Sequence, residues 1–64
     1  MKESFRWYKS AADDGHGFSQ VMVGAMLAAG QGAPQDLDAA KSYLTQASQN
    51  GQKQADELLS LIEK

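Results

Sequence analysis

The chain matches itself when it is moved along by 36 positions, and this limits its fold more than any other feature. Trp7 falls on Tyr43, Ala11 on Ala47 and Ala12 on Ser48. Asp14 falls on Asn50 and Gly15 on Gly51, while Met22, Val23 and Met26 fall on Leu58, Leu59 and Ile62. An aromatic, a small pair, a polar residue, a glycine and an apolar stripe recur in phase. A period of about 20–50 residues marks supersecondary units that cannot bury their apolar faces alone and so stack on one another.

Helix punctuation defines the unit. Gly15, Gly30 and Gly51 each stand just past a periodic segment, where a helix end needs a left-handed residue. Gly32 and Pro34 belong to the loop after Gly30, and Asp36 behind them is a good N-cap. Four segments of helical length lie between these marks: about Glu3–Asp13, Phe18–Ala29, Leu37–Gln49 and Lys53–Glu63. The first sets Phe5 and Tyr8 three apart, with Trp7 and Ala11, and Tyr8 and Ala12, four apart. The third carries Leu37, Ala40, Tyr43, Leu44 and Ala47, and the fourth Ala55, Leu58, Leu59 and Ile62. These are the stripes of amphipathic helices. No run of useful length alternates apolar and polar residues, so strands are not expected. Short loops make sequential helices antiparallel. The expected fold is all-α: an α/α superhelix of four antiparallel helices.

The run Ser19-Gln20, Gly24, Gly30-Gln31-Gly32-Ala33-Pro34-Gln35-Asp36, Ala40, Tyr43, Ala47-Ser48 and Gly51 resembles the Sel-one-like repeat, a relative of the tetratricopeptide repeat. The Gly-x-Gly-x-Pro-x-Asp loop inside a helix pair is the specific part. Trp7 to His16 resembles the end of a preceding unit. On this resemblance residues 1–15 are the second helix of one repeat, residues 16–51 a complete repeat, and residues 52–64 the first helix of another. One whole unit and two halves fall short of the three or so units that such stacks need. The expectation is either a piece of a longer solenoid or a chain that completes its stack by self-association.

Composition excludes several functions. A chain of 64 residues buries only about 60% of its unfolded surface. With no cysteine and a single histidine, His16, it has neither a disulfide nor a Cys/His zinc site to reinforce it. A net charge of −2 is wrong for a binder of nucleic-acid phosphates. The longest apolar run, Val21 to Ala29, is half a membrane span, and Met1-Lys2-Glu3-Ser4 begins no secretory signal. The compartment is therefore open: cytoplasmic for a complete chain, periplasmic for a fragment of a secreted one. Gly30-Gln31-Gly32 lacks the Lys-Ser/Thr of a phosphate loop, and Asp36 and Asp38 lack EF-hand spacing. No cofactor is expected.

The resemblance implies a protein-interaction module of adaptor or scaffold type, commonly in bacterial signalling, envelope or secretion systems, with a protein or peptide as partner. The competing reading is an enzyme or ligand-binding appendage, since some cysteine-rich members of the family are linked to β-lactam hydrolysis. This chain lacks those cysteines, and its carboxylates fall mainly at helix ends. No catalytic residue is expected. The candidate interface is Phe5, Trp7, Phe18 and Met22. Phe5 and Trp7 stand on a helix whose partner within its own repeat is not in the chain. Phe18 and Met22 begin a second apolar stripe, with Ala25 and Ala29, opposite Ser19, Val23 and Leu27. Either this second helix is buried all round, or the stripe is an exposed patch for a ligand or another copy. His16 is expected to cap a turn, and Asp13-Asp14 to be a solvated helix end.

Overall fold

A computed structural model describes residues 2–62 and contains four helices and no strand among them. They are α1 (Lys2–Asp13), α2 (Gly17–Ala29), α3 (Leu37–Gln49) and α4 (Lys53–Ile62). Glu63, the last residue expected in the fourth segment, lies outside the described residues.

Local chemistry sets the helix ends. Gly15, Gly30, Gly32 and Gly51 all have positive φ, from 71° to 92°, which side chains with a Cβ rarely adopt. Gly30 donates its N–H to the Met26 carbonyl and turns the chain out of α2. The following loop returns through Pro34, and the Asp36 N–H donates to the Leu27 carbonyl at 2.9 Å. Asp36 then caps α3, its carboxylate accepting from the Ala39 N–H at 3.0 Å. His16 caps α2: its Nδ1 accepts from the Ser19 N–H at 3.3 Å.

The four helices occupy 27 × 24 × 14 Å, with α2 in the middle. It packs most extensively on α3, then on α1, and only sparsely on α4. Among the described residues the buried apolar positions are Ala12, Val21, Val23, Met26, Leu27, Ala40, Leu44, Ala47 and Ala55, four of them alanine. Small residues let helix axes approach closely. At Gly24 the approach is closest: a methyl group there would lie 2.5 Å from Leu44 Cγ and 3.2 Å from the Ala40 carbonyl oxygen.

Two polar linkages cross the stack. Buried Gln20 donates from Nε2 to the Ala12 carbonyl at 3.1 Å, and its Oε1 accepts from Asn50 Nδ2 at 2.9 Å. One side chain thus joins the ends of α1 and α3 to the start of α2. Tyr43 Oη donates to Asp13 Oδ1 at 3.0 Å, while Lys9 Nζ lies 3.5 Å from Asp13 Oδ2. Asp13 is therefore a tie between α1 and α3 rather than only a solvated helix end.

Leu37 departs from the sequence pattern. It sits in phase with Ala40, Leu44 and Ala47 but is 46% exposed. As the first residue of α3 it projects beyond the reach of the buried cluster and onto the rim of a groove.

Candidate protein-interaction surfaces

The four candidate interface residues separate into different environments. Phe5 is half-buried against the cluster of Ala12, Val23, Leu27 and Ala40. It packs inward because α1 turns Phe5, Tyr8 and Ala12 toward α2. Trp7, on another side of α1, is 68% exposed. Its ring meets Tyr8 edge-on, with centroids 5.4 Å apart and planes at 81°. Phe18 is 48% exposed and Met22 is half-buried.

The second apolar stripe of α2 is partly open. At 100° per residue, three sides of α2 meet the three other helices. Val23 joins the cluster that Phe5 and Tyr8 of α1 pack on. Gly24 faces Leu44 of α3, and Val21 clusters with Ala55 of α4. Phe18, Met22, Ala25 and Ala29 fall on the fourth side, where Phe18 and Ala29 are exposed and the other two half-buried. A helix that touches three neighbours still has one side left, so neither burial all round nor a wholly exposed stripe describes it.

That stripe runs into a groove of about 410 Å³. Ala25, Ala28 and Ala29 of α2 form one wall, Leu58, Leu61 and Ile62 of α4 the other, and Leu37 and Leu44 of α3 complete it. The groove exists because α2 and α4 make only sparse contact. Its α2 wall is low, being alanine, and its α4 wall is tall. Leu61 on that wall is 64% exposed. No charged residue lines it. Sequence reasoning named Phe5, Trp7, Phe18 and Met22 as the interface and did not single out Leu37 or Leu61. The repeat spacing held the signal, since Leu61 falls 36 positions after Ala25, on the open side of α2.

Other constellations are structural. Ser19 Oγ lies 2.9 Å from His16 Nδ1, a distance that would suit a nucleophile and its base. Ser19 is fully buried, however, and the same Nδ1 holds the first turn of α2. Ser48 donates to Asp56 and fastens α3 to α4. Among the described residues, no three His, Asp or Glu side chains gather to hold a metal ion. No helix there is long and apolar enough to cross a membrane.

The glycine turns, the capped loop between α2 and α3, and the helix pairs set the frame for comparison with known proteins. The family model described as the Sel1 repeat matches residues 1–16 and again residues 17–52. Comparison with curated proteins and with solved structures gives no match. The two matched segments together span most of the chain, which belongs to the Sel1 repeat family.

Proposed function

We propose that this chain is an adaptor-type interaction module that takes an apolar segment of another protein into the groove between α2 and α4. Sel1 repeats as a class mediate protein–protein interaction and are a non-catalytic helical type. The observation that carries the reading here is the groove itself, lined only by alanine, leucine and isoleucine, with Met22 and Phe18 on the same side of α2 as its Ala25 and Ala29. A partner helix with apolar side chains three and four residues apart matches such a surface, because those side chains form a single ridge. The alanine wall leaves room for large side chains from the partner, and the absence of lining charge selects against an acidic or basic one.

Leu61→Glu tests this reading. The side chain is mostly exposed, so the fold should survive, with unchanged helical circular dichroism. Proteins captured from a lysate by the wild-type chain should be lost or weakened more than about tenfold, the loss expected of a central interface residue. Capture that is indifferent to Leu61→Glu would overturn the groove as the binding site.

A further inference from the structure

Asn50 is the one asparagine of the chain, and it is followed by glycine. That pair has a chemistry of its own. The Gly51 backbone nitrogen can attack the Asn50 side-chain carbonyl carbon, Cγ, because glycine has no Cβ to block the approach. The N–Cγ bond forms, the Cγ–Nδ2 bond breaks, and Nδ2 leaves as ammonia with the proton from Gly51. Water then opens the five-membered succinimide at one of its two carbonyls, giving aspartate or isoaspartate. The sum is one asparagine and one water converted to one acidic residue and one ammonia, with nothing oxidised or reduced.

The folded turn withholds both reacting groups. Asn50 has φ −89° and ψ 11°. At that ψ the Gly51 nitrogen eclipses the Asn50 nitrogen, whereas ring closure needs it to eclipse Asn50 Cβ. The Gly51 N–H also donates to the Ser48 carbonyl at 3.0 Å, and the Gln52 N–H to the Ala47 carbonyl at 3.0 Å. The side-chain amide is engaged elsewhere, its Nδ2 donating to Gln20 Oε1 at 2.9 Å. Attack therefore requires the turn between α3 and α4 to open, a local event separate from global unfolding.

The consequence of the reaction follows from Gln20. This side chain is 2% exposed, and its Nε2 donates to the Ala12 carbonyl, which can only accept. Its Oε1 is thus the atom turned to position 50, where a donor is needed. A carboxylate there has no donor and sets a negative oxygen against a buried one. The turn itself is not the obstacle. Asp14-Gly15 is its counterpart 36 positions earlier and makes the same backbone bonds: the Gly15 N–H donates to the Ala12 carbonyl at 3.0 Å and the His16 N–H to the Ala11 carbonyl at 3.1 Å. One such turn already carries a carboxylate, and what opposes it in the other is the link to Gln20.

We propose that Asn50-Gly51 is a deamidation site held closed by Gln20, and that its conversion releases the ends of α1 and α3 from the start of α2. The proposal is independent of the groove and its partner. Incubation of the purified chain at mildly alkaline pH, with peptide mapping by mass spectrometry, tests it. Deamidation of Asn50 should run more than about tenfold slower in the folded chain than in the urea-unfolded one, since only the open turn reacts. Gln20→Met should raise the folded-state rate about fivefold, the worth of one hydrogen bond. Asn50→Asp, which leaves Gln20 in place, should lower the urea midpoint of the chain. Equal rates in the folded and unfolded chain overturn the proposal. So does a folded-state rate unmoved by Gln20→Met, or an Asn50→Asp midpoint equal to that of the wild type.

Discussion

At Gly24 the absence of one methyl group sets the distance between two helices. Alanine there would improve helix propensity by about 1 kcal/mol. It would also place a carbon 2.5 Å from Leu44 Cγ and 2.7 Å from Leu44 Cδ2. Leu44 is fully buried and the Ala40 carbonyl oxygen stands 3.2 Å from the new carbon, so the Leu44 side chain and the spacing of α2 and α3 must both shift. Overpacking of this kind costs about 1–3 kcal/mol. Gly24→Ala is therefore expected to lower stability, and a raised urea midpoint would show the packing to be looser than described. Tyr43 offers a second test at this scale. Its hydroxyl pKa is raised above 10.0, first by burial, then by its hydrogen bond to Asp13 and that carboxylate's charge, with Lys9 opposing. The neutral phenol is thus favoured in the folded state. Its contribution is fully present below the unfolded pKa of about 10 and is lost as pH rises through the higher folded value. Tyr43→Phe should reduce stability at neutral pH by about 1 kcal/mol or less. Its stability should also fall less than that of the wild type above pH 10, and parallel alkaline curves would contradict the assigned tie. The caps at Asp36 and the glycines were legible in sequence because a cap is a local pattern. The Asp13–Tyr43 tie was not, because it joins residues 30 positions apart and depends on how α1 passes α3.

Among the elements, α2 decides most of what the molecule exposes. Its residues are apolar nearly all round, so sequence alone separated its sides by angle without saying which one lacked a neighbour. The structure supplies that information, since α1, α3 and α4 take three sides and leave the fourth to Phe18, Met22, Ala25 and Ala29. Adjacent residues should then respond in opposite ways. Val23 is fully buried between α1 and α3, and Val23→Glu places an unpaired charge in the core and should unfold the chain. Met22→Glu should leave a folded protein, destabilised by about 1 kcal/mol or less, but with weaker partner capture. Equal loss of helical circular dichroism in both variants would mean that the open side of α2 is in fact part of the core. The fourth helix illustrates the converse. Its apolar stripe of Ala55, Leu58, Leu59 and Ile62 was plain in the sequence, and Leu61 stands beside that stripe, 64% exposed on a groove wall that α2 touches only sparsely.

For the molecule as a whole, a small alanine-rich core holds the helices close while larger apolar side chains remain outside. The 36-residue repeat made the helical stack legible, and with it the expectation of uncovered apolar surface. The location of that surface needed three dimensions: Trp7 on one edge, Leu37 and Leu61 around the groove, and Phe18 and Met22 leading into it. The central claim is that the groove side of α4, and not its polar edge, meets a protein partner. A photo-reactive side chain introduced at Leu61, and in a second sample at Ser60, tests it most directly. Both positions are exposed, and at 100° per residue they point about 100° apart around α4. After irradiation in a lysate, the Leu61 position should cross-link to a partner through an apolar segment, and the Ser60 position should remain unlinked. Cross-links that form from Ser60 and not from Leu61, or equally from both, would contradict the account.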